Sequence, residues 1–193
     1  TLSLTTALTT ECILTKSCQR WSFLPQKKTT TKMIQNEREQ FNSVQKAIAQ
    51  ASTISLYTHV NPDCDTLSCA LALYHALNSL GKIVDVYCVD PVPETLRVLN
   101  GAHVVTLPEK KTHDLSIAVD CDGLDRIGNA MKSFLASKKQ IAIDHHKTHR
   151  KFSDITILDT SVSSCAEILF RLIKHMDIMS KEIAELLFAG IVT

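Results

Sequence analysis

Residues able to do chemistry gather in three short clusters of this 193-residue chain. They are His59-Val60-Asn61-Pro62-Asp63-Cys64-Asp65, Asp120-Cys121-Asp122 and Asp144-His145-His146. Carboxylates and imidazoles mixed in one site suit a divalent transition metal such as Mn2+, while the lack of any C-x-x-C pair counsels against structural zinc. His59, Asp63 and Asp65 sit on one turn, where alternate residues can point the same way. Asp120 could bridge two ions, with His145 arriving from another element. Two metals ~3.5–4 Å apart can clamp a phosphoryl group, activate a bridging water and neutralise developing charge. Pro62 stiffens the first turn, and a helix beginning near Thr66 would aim its amide-rich end at an anion. Singly, each residue has an ordinary role: Asp63 as a helix cap, His145 as a polar loop residue, His59 as a satisfied core histidine.

Their joint placement decides between the two readings. A helix is expected over 35–51, with Phe41, Val44 and Ile48 in phase, followed by a strand over 53–58. After the Asn61-Pro62-Asp63 turn, Leu67, Leu71, Tyr74 and Leu77 mark one face of a helix that stops at Gly81. Further strands are expected over 83–89, 115–119, 141–143 and 155–158, and helices over 93–100 and 129–137. Two more helices carry Ile168, Leu169, Leu172, Ile173 and Met176, then Ile183, Leu186 and Leu187. Strands alternating with helices predict an α/β fold, a parallel sheet with helices on both faces. Three strands then deliver acids and imidazoles to their carboxyl ends, the edge where open α/β sheets bind ligands. Asp122, Asp125 and Arg126 read as loop and ion-pair residues, and His75, His103, His113 and His175 as surface residues.

A formal charge of +1 argues against a broad basic surface for duplex DNA, though not against a short phosphate-bearing substrate. No apolar run is long enough to span a bilayer, so no membrane partner is expected. Five of the seven cysteines, Cys64, Cys69, Cys88, Cys121 and Cys165, lie in or beside apolar segments and read as buried free thiols in a reducing compartment. Residues 1–32 are rich in Thr and Ser, carry five Lys or Arg and one acid, and lack apolar periodicity. They read as a poorly packing extension: either a transit-like segment, which would place the protein in an organelle, or sequence upstream of a start at Met33. Without a transit peptide the expected location is cytoplasmic.

The motifs resemble the DHH phosphoesterase superfamily from about Leu56 to Thr193. His59-x-Asn61-Pro62-Asp63-x-Asp65, Asp120-Cys121 and Asp144-His145-His146 are similar to its first three motifs. Ser163-Ser164-Cys165-Ala166-Glu167 and Gly190-Ile191-Val192-Thr193 resemble later ones. Leu124-Asp125-Arg126-Ile127-Gly128 is most similar to the nano-RNase (oligoribonuclease) and phosphoadenosine-phosphate phosphatase branch. The resemblance implies a Mn2+-dependent enzyme (two ions, with Mg2+ or Co2+ as substitutes) acting on short RNA or 3′-phosphoadenosine-5′-phosphate, and a possible homodimer. It implies His59, Asp63, Asp65, Asp120 and His145 as metal ligands, Asp144 as the residue orienting its neighbours, and His146 as the group contacting the scissile phosphate or protonating the leaving oxygen.

The sequence departs from the family at several points. Cys64 replaces a usual Gly, Ser68-Cys69 replaces Gly-Ser, and His149 stands where Asn is common. The family's final ligand Asp would follow Thr193, and its second domain carries a Gly-rich substrate loop. The resemblance therefore implies a catalytic domain over 33–193, incomplete at its C-terminus and weak or inactive alone. Class II inorganic pyrophosphatases share the first motif, and a catalytically dead domain that only binds nucleotide is the reading from another class. A RecJ-like exonuclease would bring a longer, more basic chain.

Overall fold

Short β-branched and aliphatic runs, each followed by a helix or turn, give this chain a sheet in which every paired strand is parallel. The computed structural model describes residues 28–109 and 111–193, with side chains from Gln35 onward. Residues 1–27 of the expected extension lie outside the described residues, and helix α1 (Lys28–Gln50) includes residues 28–32. Residues 37–193 form one unit, and the description below concerns that unit.

In chain order the strands are β1 (Thr53–Tyr57), β2 (Ile83–Tyr87), β3 (Val105–Thr106), β4 (Leu115–Val119), β5 (Lys139–Asp144) and β6 (Ile155–Leu158). The helices after α1 are α2 (Cys64–Ser79), α3 (Met131–Leu135), α4 (Cys165–His175) and α5 (Lys181–Val192). The strand order is β3-β2-β1-β4-β5-β6. From β1 the chain builds outward to β2 and β3, then returns to lay β4 beside β1 and builds the other way. That reversal opens a crevice beyond the carboxyl ends of β1 and β4, where α/β sheets hold ligands.

Both faces are covered, but unequally. Ile54, Leu56, Leu115, Ile117, Val119, Ile141 and Ile143 point to one side and are buried with residues of α1, α2, α4 and α5. The other side is thin: Tyr57, Tyr87, Ala118 and Cys121 pack against Ile127, Ala130 and Phe134 from a short 3-10 turn and α3. Buried hydroxyls on this side satisfy one another, with Ser55 Oγ 2.9 Å from Ser116 Oγ and Ser116 Oγ 2.6 Å from Ser137 Oγ.

Several elements differ from the sequence-based expectation, each for a local reason. Over 93–100 there is a single 3-10 turn, Glu94–Leu96, with no buried residue to hold a longer helix. The helix expected from Asn129 is preceded by a 3-10 segment, Leu124–Ala130, kinked at Gly128 (φ 64, ψ −140). Strand β3 is two residues long and pairs only with β2, too short for a periodic signal. Helix α2 buries ten residues rather than one stripe, because α4 and α5 also pack against it. His113 is buried, not at the surface: its Nε2 lies 2.7 Å from Asp85 Oδ2, and its ring packs edge-on to Tyr87. His75 and His175 are half-buried, and His103 is exposed. Cys69, Cys88, Cys121 and Cys165 are buried free thiols, and Cys64 is half-buried. No helix among the described residues is long and apolar enough to cross a membrane.

Candidate metal centre

The β1 strand delivers His59 two residues beyond its last ladder position, and Asn61 in the left-handed region (φ 51) turns the chain so that Asp63 caps α2. Asp63 is a cap and a site residue at once. Its Oδ1 accepts from Thr66 N at 3.1 Å and also lies 3.7 Å from His59 Nε2. Thr66 Oγ1 donates to the Val119 carbonyl at 3.1 Å, tying the first turn of α2 to the end of β4. His59 Nδ1 lies 2.8 Å from the Val60 carbonyl, which can only accept, so Nδ1 carries the proton and Nε2 faces Asp63 and Asp120.

Asp120 follows β4 in the left-handed region (φ 58) and is almost fully buried. Its Oδ2 lies 3.6 Å from His59 Nε2, and its Oδ1 lies 3.4 Å from His145 Nε2. One carboxylate thus spans two imidazoles from two different strands. Oδ1 has no hydrogen-bond partner among the described residues. A buried carboxylate oxygen without a donor is costly unless a cation meets it.

Asp65 stands at the margin. Its Oδ2 accepts from Cys165 N at 2.7 Å and its Oδ1 from Ala166 N at 3.0 Å, so it anchors the start of α4. The nearest imidazole nitrogen of the cluster, His145 Nε2, is 4.0 Å away. Gly190 of α5 leaves the room for this: a Cβ there would sit 2.3 Å from Ser68 Oγ and 3.1 Å from Asp65 Oδ1.

Asp144 ends β5 with no exposed surface. Its Oδ1 accepts from His145 N at 2.8 Å, His146 N at 3.3 Å and His146 Nδ1 at 2.7 Å. His146 Nδ1 also lies 3.6 Å from Asp120 Oδ1, but the shorter bond commits that nitrogen to Asp144. His149, which stands where the family commonly has Asn, keeps a contact to this carboxylate: its Nδ1 lies 2.7 Å from Asp144 Oδ2. Asp122, read as a loop residue, accepts from Thr148 Oγ1 at 2.8 Å and lies 3.8 Å from Arg126 Nε, while Asp125 pairs with Arg150.

The electrostatics follow from packing acids around imidazoles. Burial alone would lower the His59 pKa, yet the Asp120 and Asp63 carboxylates and the Val60 carbonyl outweigh it and raise it to about 10. The same His59 holds Asp63 below the ordinary carboxylate value. Burial, then the Asp120 charge, pushes Asp65 up to about 6 despite the two α4 amides. His146 is raised too, burial being outweighed by its bond to Asp144 and by the Asp120 charge.

Two donor sets emerge, His59–Asp63–Asp120 and Asp120–His145–His146, each with its ligand atoms within 4.8 Å of one another. They share Asp120. Oxygen and imidazole donors around an uncompensated buried oxygen fit a divalent cation such as Mn2+. Residues 53–191 match the family described as "DHH family, N-terminal domain". The chain belongs to the DHH family. Asp144-His145-His146 is the triplet of that name.

Among the relatives of this DHH domain are two bifunctional oligoribonuclease and PAP phosphatase NrnA proteins. The one from Thermus thermophilus is 31% identical over 144 residues, covering 72% of this chain and 42% of the relative. The one from Bacillus subtilis is 26% identical over 151 residues, covering 76% and 47%. A solved exopolyphosphatase-related protein from Bacteroides fragilis superposes with a TM-score of 0.74 at 30% identity, over 79% of this chain and 49% of that one. The chain spans about half the length of the curated relatives it matches.

Proposed function

We propose that this DHH domain is a metal-dependent phosphoesterase whose substrates are short oligoribonucleotides or 3′-phosphoadenosine-5′-phosphate. The observation that carries the reading is Asp120, a buried carboxylate spanning His59 and His145 with one oxygen unpaired. In this reading His59, Asp63 and Asp120 hold one divalent ion, and Asp120 and His145 hold the other with Asp65 beside them. Mn2+ suits the donors best, and Mg2+ or Co2+ can substitute. Bound there, a pair of ions supplies an activated water and neutralises charge on the phosphoryl group.

The protein's own groups then have distinct tasks. Asp120 fixes the spacing of the two donor sets. Asp65, clamped by the α4 amides, is held too rigidly to swing away. Asp144 holds His146 through Nδ1, and the ring is half-exposed, so Nε2 is the nitrogen left for a substrate. From there His146 contacts the scissile phosphate and gives a proton to the departing ester oxygen as the P–O bond breaks. The names of the NrnA relatives support the substrate class.

The test is product formation by the 193-residue chain with MnCl2, supplied in parallel with 3′-phosphoadenosine-5′-phosphate, a diribonucleotide, pyrophosphate and polyphosphate, with mononucleotides resolved by chromatography and inorganic phosphate assayed separately. Slow Mn2+-dependent turnover of either nucleotide, abolished by His145→Ala, is the expected result for a domain expected to be weak on its own. Preference for pyrophosphate would place the domain with the inorganic pyrophosphatases. Saturable nucleotide binding without any turnover would make it a binding domain.

A further inference from the structure

We propose that His149 is a positioning residue for His146, acting through Asp144: its Nδ1–H holds the Asp144 carboxylate so that Oδ1 aims at His146 Nδ1. The proposal rests on the phosphoesterase reading only for the role of His146. The geometry of the relay stands apart from it.

Asp144 is fully buried, and its two oxygens are unequally served. Oδ1 takes three donors, all from His145 and His146, whereas the only donor on Oδ2 among the described residues is His149 Nδ1 at 2.7 Å. Without His149 the carboxylate is held at Oδ1 alone, and Oδ2 has no donor to resist small rotations about the last torsion, which is soft. The His149 ring is itself held from three sides. Its backbone N donates to the His146 carbonyl at 3.2 Å, closing the turn that carries both histidines. Its side chain is 3% exposed and lies against Phe152, with ring centroids 5.6 Å apart. Phe152 packs on Phe134 at 5.7 Å, so the thin face of the sheet braces the imidazole.

The proton position follows. A carboxylate can only accept, so Nδ1 donates. His149 Nε2 is buried with no partner. A proton there would be a buried donor without an acceptor, so the ring carries its proton on Nδ1.

Three substitutions separate donation from bulk. His149→Asn keeps a donor nitrogen at the δ position, the same number of bonds from Cα as Nδ1. His149→Gln moves it to where Nε2 lies, and His149→Leu removes it. With 3′-phosphoadenosine-5′-phosphate and MnCl2, the Asn variant is expected to stay near the wild-type rate. The Gln and Leu variants are expected to lose ~10–100-fold in kcat, with KM and Mn2+ affinity little changed. If the Leu variant does not fold, the Asn–Gln pair carries the test, and equal rates for those two overturn the proposal. A second readout needs no turnover: NMR of the metal-free, 15N-histidine-labelled chain. The expected spectrum puts the His149 proton on Nδ1 and shows a bonded His146 Nδ1–H that survives in the Asn variant and is lost in Gln. A His149 proton on Nε2, or a His146 signal unchanged in Gln, overturns the relay. An inactive wild type with the expected spectra would leave the relay standing on the spectra alone, since the 193-residue chain is expected to be weak or inactive by itself.

Discussion

His59 keeps a proton up to about 10 in the metal-free site, against 6.5 for an ordinary histidine. A folded pKa above the unfolded one means the native state binds the extra proton between those values. The resulting stabilisation is full below pH 6.5 and is lost as pH rises through about 10. Asp65, raised from 3.8 to about 6, adds a fall in stability of the same sign between those two values. The melting temperature of the metal-free domain is therefore expected to decline from neutral to alkaline pH, and to decline less in His59→Gln. A metal must displace the proton from Nε2, so binding Mn2+ near neutral pH should release protons. Calorimetry in buffers of differing ionisation enthalpy measures that release, and none at all would show that His59 does not bind the ion. That His59, Asp63, Asp120 and His145 converge was legible because strand ends announce themselves, an apolar run breaking into acids and imidazoles. The α4 amides on Asp65 were not, since that contact joins residues 100 positions apart. The burial of His113 was equally hidden, because it depends on Asp85 of β2, which lies two strands away from the β4 strand that His113 precedes.

Helices α2, α4 and α5 pack against one another beside the site, and small residues set how closely they meet. At Gly190 an added Cβ would lie 2.3 Å from Ser68 Oγ, which can rotate away, but also 3.0 Å from Ala166 Cβ, which cannot. Gly190→Ala should therefore push α5 off α4 and cost ~1–3 kcal/mol in chemical denaturation. It should also weaken Mn2+ binding by shifting Asp65, whereas an effect on neither would mean the helices part freely. Gly128 is a second such point, with φ 64 and a Cβ that would sit 2.9 Å from Val60 Cγ1, next to His59. Gly128→Ala is expected to destabilise through strained backbone and that clash together. Element types were readable where an apolar run was long enough, as in β1, β4, β5 and α4. They were not over 93–100, where a three-residue turn stands in place of a helix, because one turn has too few positions to show a period.

Over the whole unit, the strand order brings the three motifs together. Sequence alternation predicted a parallel sheet, but it carries no information on which strand lies beside which. It is β4 lying between β1 and β5 that places Asp120 against the loop after β1 on one side and His145 on the other. A cation bound across that crevice ties three strand ends, so Mn2+ should raise the melting temperature and a chelator should reverse it, in proportion to the logarithm of metal concentration over Kd. The most direct measurement is a Mn2+ titration of the 193-residue chain by calorimetry or electron paramagnetic resonance, with Asp120→Asn alongside. The expected result is saturable binding of two ions to the wild type, with at least one lost or strongly weakened in a variant that remains folded. No saturable binding, or binding that Asp120→Asn leaves untouched, would contradict a metal centre built around Asp120.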